Sequence, residues 1–263
     1  MDKYLIINAD DFGVSHGTNE AILNLYLNKR ITSTTIIDIA PWANEAIKLA
    51  RNFKNISIGL HLTHTCEWDN LSWKSLSGID LYKTKEEALK IPFSQRLYES
   101  KLQIKELLKE NVRIDHLDNH MCTLDDNLIE YLKLAKEYDL AIRCPIKDIK
   151  DKKISDYIKY NQIDTIDYLN KYGDIYKSDR EHYESHKEAY INMLDHLEEG
   201  INEFFMHPSL DTEELRAFAE DYKVRIFDYE FLMSDDFIDA IKKNNIKLIN
   251  YSDIKRIRRS YEN

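Results

Sequence analysis

Acidic and imidazole side chains recur where short apolar runs of this chain end. Asp10-Asp11 close the run Tyr4–Ala9. His61 falls near the end of Ile56–Thr63, with His64 just after it. His116-Leu117-Asp118-Asn119-His120 overlaps the end of Ile114–Asp118. Arg143 lies in Ala141–Cys144, and His207 follows Glu203–Met206. Asp and His are the donors that hold a divalent cation, and a bound cation makes water a usable nucleophile at neutral pH. Taken singly, the pieces have plainer readings. An Asp-Asp after a strand caps a turn or helix, and a His on a strand is a satisfied core residue. The His116-x-Asp118-x-His120 spacing is more pointed. On an extended strand these three share a face, because the side-chain period is two. Three ionisable groups on a buried face are costly unless they bind something. A second pair, His182 and His186, shares a face of a predicted helix. Its neighbours Lys177, Asp179, Arg180, Glu181 and Glu184 read as a solvated surface.

Bringing such residues together requires elements whose ends converge. The apolar runs read as strands at Tyr4–Ala9, Thr32–Ala40, Ile56–Thr63, Ile114–Asp118, Ala141–Cys144, Glu203–Met206 and Ile246–Asn250. Between them, helical spacing marks Thr18–Asn28, Ala43–Arg51, Ser94–Leu108, Asn127–Tyr138, a helix from Thr212, and Phe227–Lys243. Strands alternating with helices predict an α/β fold, either a barrel or a doubly wound sheet. In a parallel barrel the C-terminal strand ends face one common site. No linker or repeat interrupts residues 1–263, so one domain is expected. The irregular stretch 64–93 carries Trp68, Trp73 and Tyr82 and reads as a lid, a dimer contact or an aromatic wall on which a ligand ring stacks. A charged, Tyr-rich insert at about 147–200 reads as helical, with no strand.

Composition removes several function classes. The 263 residues hold 37 Lys plus Arg against 47 Asp plus Glu, a net charge of −10. Phosphate backbones and anionic membranes need clustered positive charge, so neither nucleic acid nor membrane is an expected partner. The basic tail Lys255–Arg259 reads as a solvated last helical turn. A hydrophobic content of 43% excludes disorder. Only 6 Gly and 4 Pro argue against an all-β sandwich. Cys66, Cys122 and Cys144 are widely spaced and form no disulfide framework. The N-terminal apolar stretch Tyr4–Ile7 is too short for a signal segment, and no apolar run approaches the roughly 18 residues of a membrane span. A reducing, cytoplasmic compartment is expected.

Leu5-Ile6-Ile7-Asn8-Ala9-Asp10-Asp11-Phe12-Gly13 resembles the N-terminal signature of the YdjC-like carbohydrate deacetylases. Ile31–Thr35, Ile58–Leu62, His116–His120, Arg143 and Glu203–Pro208 are similar, in order, to that family's later motifs, and Lys247–Tyr251 to its closing region. Two positions depart from the pattern. Met121 and Cys122 stand where the family continues with histidines, and Ser209 follows His207-Pro208 where glycine is usual. Cys122 is read as an extra ligand or as a small buried hydrophobe.

The resemblance implies a distorted (β/α) TIM-like barrel of the polysaccharide-deacetylase type. It implies one divalent ion, Mg²⁺ or Zn²⁺, on Asp11, His61 and His120, with Asp10 as general base and His207 as general acid. Arg143 would pair with Asp10, while His116 and Asp118 would orient His120 or its neighbours. The implied substrate is a small N-acetylated sugar and the implied assembly a homodimer. Another barrel metallohydrolase, such as a phosphoesterase, and a non-catalytic sugar-binding protein on the same fold remain the alternatives.

Overall fold

The computed structural model describes residues 2–66, 73–170 and 180–262. Among these, the strands are β1 (Lys3–Phe12), β2 (Ser33–Ile36), β3 (Ser57–Leu62), β4 (His116–Asn119), β5 (Ala141–Ile142), β6 (Tyr168–Asn170), β7 (Gly200–Met206) and β8 (Lys247–Leu248). The helices are α1 (His16–Leu27), α2 (Ala43–Ala50), α3 (Lys85–Ala88), α4 (Phe93–Lys109), α5 (Leu128–Glu137), α6 (Lys152–Asn161), α7 (Tyr183–Asp195), α8 (Glu213–Phe218), α9 (Tyr222–Met233), α10 (Asp235–Lys243) and α11 (Ile254–Glu262).

β1 is the strand on which the sheet is built. Leu5, Ile6 and Ile7 are all fully buried, an apolar run without alternation that suits a strand covered on both faces. One edge of β1 pairs with β7, from Lys3↔Gly200 to Ala9↔Met206. The other edge meets β8 near its start and β2 near its end. β3, β4 and β5 follow beyond β2, and β6 lies outside β7, every pairing parallel. A parallel bridge between Ile142 and Thr165 joins the two ends of this order. The ring so closed is the distorted α/β barrel expected from the sequence. Its parallel strands deliver their C-terminal ends to one rim.

Several expectations are corrected. β1 does not stop before Asp10-Asp11 but runs through both. The insert at 147–200 is not purely helical, because β6 forms within it and pairs with β7. The helix expected over Phe227–Lys243 is two helices. Ser234 ends α9 and caps α10, its hydroxyl accepting the Phe237 N–H at 3.2 Å. The basic tail belongs to α11, whose Ile254 and Ile257 are buried with Ile6, Ile201 and Ile249. This helix stoppers the N-terminal mouth of the barrel, and its Arg258 pairs with Asp167 at 2.8 Å. Trp73 is buried among Val14, Ile37 and Cys66, so it forms no sugar-facing wall. Trp68 lies outside the described residues.

His64 is also redirected. It turns away from the rim into fully buried surroundings, with Nδ1 2.8 Å from Thr123 Oγ1 and Nε2 2.9 Å from the Arg96 carbonyl. A carbonyl only accepts, so Nε2 carries a proton and the neutral ring is satisfied. Burial pushes its pKa down from 6.5 to about 4. The unfolded chain therefore binds the extra proton first as pH falls. The stability His64 contributes is complete above about pH 6.5 and is lost progressively towards pH 4, in total of order 3 kcal/mol. Urea midpoints measured between pH 7 and pH 4 should fall more steeply for the wild type than for His64→Gln. Equal slopes would refute this assignment.

Candidate metal centre

In a regular strand Asp10 and Asp11 would face opposite sides. Here β1 slips register against β2 between Ala9 and Phe12, and Asp11 takes φ +66°. This left-handed residue lets both carboxylates converge. Asp10 Oδ2 and Asp11 Oδ1 lie 3.8 and 3.5 Å from His61 Nε2. His61 comes from β3. Its Nδ1 is 2.5 Å from Asp118 Oδ1 on the neighbouring β4. That carboxylate fixes the ring and turns Nε2 inward, as outer carboxylates do for ligating histidines.

His120 does not lie on the strand. β4 ends at Asn119, and His120 opens the 3₁₀ turn His120–Cys122, in which Met121 and Cys122 have positive φ. The turn sets His120 Nδ1 3.1 Å from His61 Nε2 and 3.6 Å from Asp11 Oδ1. His116 is remote from this point. It stacks on Tyr251 at 3.8 Å and covers Gly59, where any Cβ would sit 2.5 Å from the imidazole. Of the two residues expected to orient His120 or its neighbours, Asp118 serves His61 and His116 serves the barrel interior.

Arg143 follows β5 directly and ties three carboxylates together. Its Nη1 and Nη2 each donate to Asp10 at 2.7 Å, and Nε donates to Glu203 at 2.8 Å. Asp118 Oδ2 lies 2.8 Å from Nη2. Burial raises Asp118, but the Arg143 charge and His61 outweigh it and hold it below the usual carboxylate range. Burial pushes Glu203 up, and it accepts a hydrogen bond from Tyr251 Oη.

His207 follows β7, with Nε2 3.9 Å from Asp10 Oδ2. Its backbone N–H donates to Asp228 of α9 at 2.8 Å. Asp228 is fully buried, accepts from Tyr190, and lies 3.4 Å from His186 Nε2. His186 is thus buried support beneath His207, not the solvated surface residue its charged neighbours suggest. Ser209 is buried too, its N–H bonded to the Arg225 carbonyl at 3.0 Å and its hydroxyl accepting from Thr18 at 3.3 Å. Cys122 is exposed on the wall of the cavity, which removes the buried-hydrophobe reading.

One residue of the site carries no motif. Arg225 of α9 donates from Nη1 to Asp11 Oδ2 at 2.7 Å. Burial would raise Asp11, yet Arg225 and then His207, His120 and His61 hold it well below the usual carboxylate range. Asp11 Oδ1 is buried and makes no hydrogen bond. Asp11, His61 and His120 each offer one donor atom within 4.8 Å of the other two. Ligand bonds of roughly 2.0–2.2 Å put tetrahedral donors about 3.3–3.6 Å apart; the two Asp11–imidazole separations, 3.5 and 3.6 Å, match this, and the two imidazole nitrogens, at 3.1 Å, are slightly closer. The three donors fit a divalent cation.

Asp10, His61, His120, Arg143, His207 and Arg225 all line one open cavity of about 840 Å³. Its size is that of a small-molecule site. Among the described residues, no helix is long and apolar enough to cross a membrane.

Known proteins share this framework. A carbohydrate deacetylase of Thermoanaerobacter pseudethanolicus is 29% identical over 96% of this chain and 100% of its own length. A carbohydrate deacetylase of Enterococcus faecalis is 26% identical over 96% of this chain and 98% of its own. The crystal structure of a proposed cellobiose-phosphate cleavage protein from Enterococcus faecalis superposes with a TM-score of 0.77 at 27% identity, covering 96% of this chain and 98% of that one. The sequence pattern of the YdjC-like proteins matches residues 4–243, a span that holds every side chain lining the cavity, and the chain therefore belongs to the YdjC-like family.

Proposed function

We propose that this protein is a metal-dependent hydrolase that removes acetyl groups from N-acetylated amino sugars or short oligosaccharides. The observation that carries the reading is the pairing of two units on one rim. The donors Asp11, His61 and His120 stand beside an Arg143-clamped Asp10 that faces His207. The relatives named carbohydrate deacetylase support the substrate class.

Amide hydrolysis needs a nucleophile stronger than neutral water and a proton for the departing amine. A divalent ion held by Asp11, His61 and His120 supplies Lewis acidity towards the acetyl oxygen and lowers the pKa of bound water. Asp10 takes the proton as water attacks. Arg143 grips both of its oxygens, which fixes the direction in which the remaining lone pairs point. His207 delivers a proton to the leaving nitrogen, which would otherwise depart as a poor amide anion. The 3.9 Å between His207 Nε2 and Asp10 Oδ2 lets base and acid address one bond from neighbouring strands. Two nitrogen donors and one oxygen favour Zn²⁺ over Mg²⁺ on softness grounds.

The test is acetate release from N-acetylglucosamine oligomers, with and without chelator, alongside elemental analysis. Asp11→Asn, His61→Ala and His120→Ala should each lower bound metal and activity together. Activity indifferent to both the chelator and Asp11→Asn would sink the metal reading. We read the enzyme as cytoplasmic and homodimeric. Three free cysteines fit a reducing compartment, and sedimentation equilibrium tests the dimer.

A further inference from the structure

Arg225 reaches the site from a helix, not from a strand end. It is 8% exposed and is held on both sides, with Nη1 2.7 Å from Asp11 Oδ2 and Nε 2.9 Å from Asp221 Oδ1. Asp11 therefore has one oxygen engaged by a guanidinium. Its other oxygen faces His61 Nε2 and His120 Nδ1.

We propose that Arg225 is a positioning residue of the metal centre, a built-in counter-charge that selects which Asp11 oxygen meets the ion and moderates how tightly the ion is held. The inference rests on the metal reading above.

Two effects of removing Arg225 oppose each other. Losing the fork frees Asp11 to turn, and lost outer partners of ligands commonly weaken metal binding about 10–100-fold. Losing the charge acts the other way. A guanidinium one carboxylate away from a doubly charged ion repels it, and burial leaves little water to screen the repulsion. Without Arg225, the ion-free protein also holds Asp11 buried with only imidazoles beside it, an unfavourable state that a bound ion relieves. The charge effect wins here because Asp11 has little freedom to turn. It is 1% exposed, its carbonyl accepts from the Val14 N–H at 3.1 Å in the turn that follows, and its side chain is flanked by two imidazoles.

The experiment is Zn²⁺ titration of chelator-stripped full-length protein by calorimetry, with melting curves taken with and without Zn²⁺. Arg225→Gln should bind Zn²⁺ at least about tenfold more tightly than wild type, a shift that only the charge effect produces. Its ion-free form should melt lower, and the gain in Tm on adding Zn²⁺ should widen. An ion-free Arg225→Gln that is unfolded but folds on addition of Zn²⁺ supports the proposal in the same sense. Arg225→Lys keeps the charge and should stay within about threefold of wild type. Wild-type or weaker affinity in Arg225→Gln overturns the proposal, as does an Arg225→Lys that tightens as much as the Gln variant. If wild-type protein takes up no Zn²⁺, or takes it up regardless of Asp11→Asn, the metal reading has failed and this inference falls with it.

Discussion

Asp10→Asn is expected to keep the divalent ion and to lose about 10²–10⁴-fold in kcat, the range for removing a general base. The amide cannot accept a proton, while Asp11, His61 and His120 are untouched. Its oxygen should take the place of Oδ1, where Asn8 Nδ2 and Arg143 Nη2 both donate at 2.7 Å. The amide nitrogen then faces Arg143 Nη1, so a modest loss of stability should accompany the loss of rate. His207→Ala should also keep the ion. Its rate loss should shrink on substrates with activated leaving groups, which need less protonation. Bound metal and kcat across these variants separate the roles. If Asp10→Asn strips the ion while Asp11→Asn retains it, base and ligand are assigned the wrong way round. If His207→Ala matches wild type on an unactivated amide, His207 is not the acid.

Arg143→Met should be the most destabilising single change at the site, at about 3–5 kcal/mol. Met preserves much of the length and the contact with Phe205, whose ring centroid lies 5.1 Å from the guanidinium carbon. It leaves the buried Asp10, Asp118 and Glu203 without the cation they share. Breaking a buried pair by removing one partner leaves uncompensated charge, which costs more than the pair contributes. The sign with pH follows. The unpaired carboxylates of the folded variant bind protons more readily than those of the unfolded chain, so its deficit should shrink as pH falls from 7 towards 5. Urea unfolding of wild type and variant at both pH values checks this. A deficit below about 1 kcal/mol at pH 7 would mean that other cations compensate these carboxylates.

The strand-end side chains were legible because rim residues sit at one recurring position, the end of an apolar run. Asp10, Asp11, His61, Arg143 and His207 all obey that rule. His120 was found although the period-two argument that pointed to it ends at Asn119. The turn after β4 carries His120 to the site by a backbone reversal that alternation does not encode. Arg225 was invisible because one arginine in an amphipathic helix reads as a solvated face. Nothing local says that α9 lies across the rim. His186 misled for the opposite reason, since charged sequence neighbours do not report which face of α7 is covered. β6 is three residues long in a charged segment, and its pairing is set by β7, not by its own pattern. The break at Ser234 did leave a signal. Ser followed by Asp235-Asp236 is a helix start, and the helical spacing on both sides of it masks that signal.

The placement of β1 has a consequence for how the protein is made. Among the eight described strands, β1 is synthesised first and is central, yet its partner along one edge, β7, begins at Gly200. At roughly 5–20 residues per second, β1 waits about 10–40 s for that neighbour. For that interval Leu5, Ile6 and Ile7 sit next to an unpaired edge, the kind of surface that invites aggregation. Early pairing with β2 at Asn8↔Ser33 shields only the far end of the strand. Folding dominated by such distant pairings is slow. Yield on overexpression should therefore depend on chaperone capacity and growth temperature more than the stability of the finished barrel would suggest.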